Sequence, residues 1–129
     1  MEHDVAIASS AVIKAEGFTA HLEHRAGTIV VAMRGNADMA VHEKLKAFLD
    51  EVDRTARALR AKEAVFEFEE VYFMNSSCLS LLLRFINTVV GAPSAKQYMI
   101  RFKSNPKLRW QQKSLDALCA YAQDLVFVE

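Results

Sequence analysis

The residues best placed to do chemistry are Asn75-Ser76-Ser77-Cys78, an amide, two hydroxyls and a thiol that directly follow the apolar run Val71-Tyr72-Phe73-Met74. Leu79, Leu82, Leu83, Ile86 and Val90 come next at helical spacing, which predicts a strand-to-helix corner. The first N–H groups of a helix lack backbone partners, and the macrodipole adds partial positive charge there. Two readings stay open from the residues alone. Either Asn75 or Ser76 simply caps the helix, or a serine here accepts a phosphoryl group whose charge a partner protein senses. A third use, Ser76 or Cys78 as an enzymatic nucleophile, needs a neighbouring base and oxyanion donors, and the sequence identifies neither.

Other constellations carry less. His3, His21, His24 and His42 are scattered; His21 and His24 lie three apart in a strand-like stretch and so face opposite ways, which rules out a shared metal. Glu67, Glu69 and Glu70 crowd one segment, with Phe66 and Phe68 taking the inward positions and the carboxylates expected in solvent. Arg101, Lys103, Lys107, Arg109 and Lys113 surround Trp110, a combination that can bind nucleic acid or an acidic peptide, or that simply faces water around a tryptophan on the domain edge. The four glycines form no phosphate loop or dinucleotide fingerprint. No catalytic residue, metal or cofactor is expected.

The elements that must hold the corner can be read from periodicity. Residues 1–14 show none and are expected to be either flexible or an edge strand. Phe18 to His24 alternates, as a half-buried strand does, and Thr28 to Met33 is a continuous run of the kind found in strands covered on both faces. Gly35-Asn36-Ala37-Asp38 is expected to break that strand, with Asp38 capping the next element. Val41, Leu45, Phe48, Leu49, Val52, Ala56 and Leu59 then mark one face of a long helix. Ala64 to Phe68 reads as a strand separate from the short 71–74 segment. Gly91-Ala92-Pro93 ends the second helix, Tyr98 to Phe102 is another strand, a third helix lies within 107–122 with Leu115, Leu118 and Ala122 inward, and Leu125 to Val128 closes the chain. Strands alternating with helices predict a single α/β domain, with a mixed, mainly parallel sheet and helical crossovers.

Composition bounds the function classes. Sixteen basic and sixteen acidic residues cancel over 129 positions, so no general field attracts nucleic acid or a membrane surface. Cys78 and Cys119 are too few and too far apart for a disulfide framework or a zinc site. The N-terminus carries acid where a signal peptide needs base, and the longest apolar run is far short of a membrane span, so a cytoplasmic protein with reduced thiols is expected.

The order of elements, the segment Arg34-Gly35-Asn36-Ala37-Asp38 and above all Phe73-Met74-Asn75-Ser76-Ser77-Cys78-Leu79 resemble the STAS domain family, the fold of bacterial anti-sigma-factor antagonists, over roughly residues 17–129. The first segment is similar to the family's Gly-x-Leu-Asp turn, the second to its Phe-hydrophobic-Asp-Ser-Ser-Gly-Leu. The family's Asp is Asn75 here and its Gly is Cys78. Trp110-Gln111-Gln112-Lys113-Ser114-Leu115 is similar to a branch of small single-domain STAS-like regulators. The resemblance implies a STAS-like domain over 15–129 and a phosphoacceptor at Ser76, with Ser77 as the second choice. It also implies a partner surface made of Asn75, Ser76, Ser77, Cys78, Gly35, Asn36 and Asp38. The implied partners are an anti-sigma factor that is also a serine kinase and a PP2C-type phosphatase that resets the switch. Some STAS domains instead serve as unphosphorylated scaffolds or accessory subunits of transport systems, which is the alternative the resemblance leaves open.

Overall fold

The computed structural model describes residues 11–129. Six strands, β1 (Val12–Ala15), β2 (Phe18–Arg25), β3 (Thr28–Ala37), β4 (Glu63–Met74), β5 (Met99–Lys103) and β6 (Val126–Val128), form one sheet in sequential order. β1, β2 and β3 pair antiparallel; β3 through β6 pair parallel. The parallel crossovers contain helices α1 (His42–Ala58), α2 (Ser76–Val90) and α3 (Arg109–Tyr121). This is the expected mixed α/β domain. Of the N-terminal segment 1–14, residues 1–10 lie outside the described residues, and Val12 to Lys14 belong to edge strand β1.

Because the parallel strands follow one another in space, right-handed crossovers put all three helices on the same face. Ile29, Val31, Ala64, Phe66, Phe68, Ile100 and Phe102 point to that face and are buried to the last few per cent. Among the described residues the opposite face carries no helix, which corrects the expectation that β3 is covered on both sides. Its apolar pair Val30–Val65 lies in one cross-strand row with Arg101 and Phe127. Arg101 reaches Glu63 at 2.7 Å and Glu129 at 3.2 Å, with its guanidinium 5.7 Å from the centre of the Phe127 ring. Long side chains therefore do for Val30 and Val65 what a helix layer would do.

β3 runs through Gly35 and Asn36 to Ala37, where the sequence predicts a break. Gly35 makes this possible. Its φ is +109°, and a Cβ there would stand 2.1 Å from the Gly17 carbonyl oxygen, so only glycine allows β2 and β3 to meet so closely. β4 is likewise one twelve-residue strand instead of two pieces. Its pairing with β3 passes from Ala32↔Glu67 to Arg34↔Glu70, and from Gly35↔Val71 to Asn36↔Phe73, so β4 holds an extra residue at each step. These bulges break the alternation and leave Glu69-Glu70 and then Tyr72-Phe73 as adjacent exposed pairs.

β5 accompanies β4 only from Glu63 to Glu67. Beyond that point the β4 carbonyls on this side need other partners, since an unpaired buried carbonyl costs about as much as a lost hydrogen bond. Side chains around the start of α3 supply them. Gln111, fully buried, donates from Nε2 to the Phe68 oxygen at 2.7 Å and the Val71 oxygen at 2.8 Å, while its Oε1 accepts the Asn105 N–H. Asn105 Nδ2 donates to the Glu69 oxygen at 3.0 Å and Trp110 Nε1 to the Tyr72 oxygen at 2.9 Å. The first turn of α3 thus substitutes for the missing strand.

A second tie crosses the helix layer. The buried Tyr98 hydroxyl donates to Asp53 of α1 at 2.8 Å, and Asp53 is also paired with Arg57. Burial first, and then the Asp53 carboxylate, push the phenol far above its ordinary value.

Two outcomes follow. Gln111→Leu leaves the Phe68 and Val71 carbonyls and the Asn105 N–H without their partner and should lower the unfolding free energy by about 3 kcal/mol; a loss below about 1 kcal/mol in denaturant titration would show that water serves these groups instead. Because Tyr98 resists ionisation when folded, its contribution is complete below about pH 10 and declines above it by about 1.4 kcal/mol per pH unit. Tyr98→Phe should therefore cost about 2 kcal/mol at pH 7 and distinctly less at pH 11, whereas an equal cost at both would refute this account.

Candidate functional site

The corner where β4 passes into α2 is built around Asn75. Its extended backbone ends the strand, its N–H donates to the Ala37 carbonyl at 2.9 Å, and its Oδ1 accepts the Cys78 N–H at 2.8 Å. Its own carbonyl accepts the Leu79 N–H at 3.0 Å. Asn75 is therefore the helix cap. Ser76 is left as the first helical residue, exposed and not needed for capping; Ser77 follows, half-buried. Among the described residues neither serine N–H nor hydroxyl has a hydrogen-bond partner, so both amides face outward at the positive end of α2.

Cys78 lies elsewhere. It is fully buried, and its Sγ contacts the Asp38 carbonyl at 3.6 Å. Burial, and secondarily the Asp38 charge, push the thiol above its ordinary value, the opposite of what a nucleophilic cysteine needs. The buried stripe of α2 is Cys78, Leu81, Leu82, Phe85, Ile86 and Val89, with Leu79 and Leu83 only partly covered and Val90 exposed. The helix is rotated by about one position from the expected stripe, because a fully buried cysteine behaves as a small hydrophobe and begins the inward face. Cys78 thus shapes the corner from inside and presents no side-chain surface to a partner.

The neighbouring β3–α1 connection meets this corner. Asp38 is exposed and caps a short 3-10 turn, Met39–Val41, by accepting the Ala40 N–H at 3.0 Å, so it starts α1 indirectly. Asn36 is exposed opposite Phe73, while Gly35 is half-buried inside β3 and lies behind the surface. The Ala37–Asn75 and Asp38–Cys78 contacts lock the two connections together. Beside the polar groups lie two large apolar side chains that the sequence reading did not single out, Met39 at 62% and Phe73 at 48% exposure. Both are signalled only by apolar identity; their exposure follows from the 3-10 turn and the β4 bulge.

The other candidates are dispersed. His21 and His24 are exposed on β2, His42 begins α1 beside Glu43, and His3 is outside the described residues. Among the described residues, no histidine or carboxylate side chain is hydrogen-bonded to Ser76, Ser77 or Cys78, and no three His, Cys, Asp or Glu side chains converge as a metal site. Glu67, Glu69 and Glu70 line an open cleft of about 490 Å3 together with Thr19, His21 and Arg34, and Glu70 pairs with Arg34 at 2.9 Å. The basic cluster splits: Arg101 and Lys103 belong to the sheet, and Lys107, Arg109 and Lys113 surround the start of α3. No described helix is long and apolar enough to cross a membrane.

No family model and no curated protein matches the sequence. Solved structures do match in fold. An anti-sigma factor antagonist from Mycobacterium paratuberculosis superimposes with a TM-score of 0.62 at 18% identity, covering 84% of this chain and 85% of that one. The Bacillus cell fate determinant SpoIIAA in its phosphorylated form gives 0.53 at 17% identity, covering 85% and 90%. The anti-sigma factor antagonist SpoIIAA in its unphosphorylated form gives 0.51 at 19%, covering 85% and 86%. The chain has the STAS fold of these anti-sigma factor antagonists.

Proposed function

We propose that this chain is a regulatory protein-binding domain of the anti-sigma-factor-antagonist kind, switched by phosphorylation of Ser76 in a partner-switching pathway of the cytoplasm. The observation that carries the reading is the division of labour at the corner. Asn75 holds the cap, so the Ser76 hydroxyl is exposed and uncommitted at the tip of α2. A fold shared with a protein known in both phosphorylated and unphosphorylated forms supports the same assignment.

In this reading an anti-sigma factor with serine-kinase activity docks on Ser76, Ser77, Asn36, Asp38 and the exposed face of Asn75, with Phe73 and Met39 supplying apolar contact. Gly35 and Cys78 act from behind, by setting the backbone. The Ser76 oxygen attacks the γ-phosphorus of the kinase's ATP, the bond to ADP breaks, and the hydroxyl proton passes to a base of the kinase. The product carries about −1.5 to −2 charge. The fold tolerates that charge, because the helix start favours an anion by about 0.3–1 kcal/mol and the Asn75–Cys78 cap is undisturbed. The docked interface does not: a dianion beside Phe73 and Met39 would have to be stripped of water or leave a gap. A PP2C-type phosphatase would restore the hydroxyl by delivering water to phosphorus.

The two departures from the family segment are compatible with this reading. Cys78 turns inward and so adds no bulk in the kinase's path, and Asn75 caps the helix without placing a carboxylate beside the phosphate. Incubation with a serine-kinase anti-sigma factor from the same genome and ATP should add one phosphate, which mass spectrometry would locate at Ser76. Ser76→Ala should abolish it, and Ser77→Ala should leave it. Ser76→Asp should weaken partner binding by about tenfold or more, about 1.4 kcal/mol, with unchanged circular dichroism. Unmodified protein that still binds such a partner would favour the scaffold or transport-accessory role, and phosphate persisting in Ser76→Ala would move the acceptor to Ser77.

A further inference from the structure

We infer that the start of α3, together with the bulged pair Tyr72–Phe73, forms a second docking surface that takes an acidic amphipathic segment of the protein partner. This deepens the reading above by adding to the serine corner a contact of defined chemistry. The second β4 bulge turns Tyr72 and Phe73 outward together, at 52% and 48% exposure. Aromatic side chains of this size dominate protein interfaces when they are left open on a rigid surface. Here the surface is rigid, because the Trp110 indole N–H holds the Tyr72 carbonyl at 2.9 Å and Gln111 holds that of Val71.

The same bond ties the first turn of α3 to the Tyr72 backbone, and basic residues flank that turn. Lys107, Arg109 and Lys113 are all exposed, and none pairs with a carboxylate among the described residues. Six arginines elsewhere, Arg25, Arg34, Arg54, Arg57, Arg84 and Arg101, each hold an acidic side chain. Arg109 and Lys113 are one helical turn apart, so their Cβ atoms lie about 5–6 Å from one another on the same face of α3. A partner helix with apolar residues on one face and carboxylates one turn apart beside them meets both halves of this surface. Nucleic acid fits less well, because the Trp110 ring is partly covered with its N–H engaged and the chain has no net positive charge.

Trp110 is the sole tryptophan, so its indole N–H is a single NMR resonance inside the proposed surface. The full-length protein would be titrated with a synthetic amphipathic helix carrying leucines at i, i+3, i+4 and i+7 flanked by glutamates, with the same helix carrying lysines, and with a short single-stranded oligonucleotide. The acidic helix should shift the Trp110 indole and the Tyr72 and Phe73 amides saturably, with affinity falling as salt rises. The lysine helix should not. Arg109→Glu combined with Lys113→Glu should weaken the acidic helix by about tenfold or more while circular dichroism stays unchanged, and Tyr72→Ser should weaken it without altering the charge. No shift with the acidic helix, equal shifts with both helices, preference for the oligonucleotide, or wild-type binding by the double charge variant would each overturn the inference. Phosphorylation of Ser76 is read in a different assay, so a docking failure with Ser76 still modified removes this surface alone, and intact docking without modification removes the switch alone.

Discussion

The geometry of the molecule turns on the unsatisfied edge of β4. That strand outlasts its neighbour β5 by seven residues, Phe68 to Met74, and a carbonyl left unpaired there would forfeit the free energy that holds it in place. Gln111, Trp110 and Asn105 pair with four of those carbonyls from side chains instead of from a strand. A real strand would have continued the sheet and buried the end of β4. Side chains finish the bonding while leaving the tip of the strand open, and the serine corner sits on that open tip.

The corner itself separates jobs that a single residue often combines. Capping belongs to Asn75, filling the core to Cys78, and exposure to Ser76. Since the helix N-terminus favours negative charge whether or not a cap is present, a phosphoryl group of the kind proposed at Ser76 would change the surface without opposing the fold. The contacts from Ala37 and Asp38 to Asn75 and Cys78 hold the β3–α1 connection against this point. In the proposed reading a partner would meet one preformed surface, so that little ordering free energy would be lost on docking.

The absence of crossover helices from the second face of the sheet follows from topology alone, because sequential parallel strands joined by right-handed crossovers cannot put one there. The Glu63–Arg101–Glu129 ion pairs and the Phe127 ring cover the apolar row that results. Arg101 is paired on the sheet, while Lys107, Arg109 and Lys113 cluster at the start of α3 with no carboxylate partner among the described residues.

Composition, periodicity and punctuation determined the class of fold, the number and order of strands and helices after residue 15, and the location of the serine corner. These depend on short-range physics: alternation for strands, a 3.6-residue period for helices, and small polar residues where a helix starts. What they left out depended on residues far apart in sequence. The extension of β3 through Gly35 required the approach of Gly17, and the continuity of β4 required two bulges that erase alternation by design of the pairing. Nothing in the sequence around Gln111 marks its buried role until the carbonyls it serves, 40 and 43 positions away, are in place. Cys78 reads as part of the polar corner until α2 is packed and its rotation set. In each case local patterns name the element, and only the packed sheet decides which side of it is buried and which is exposed.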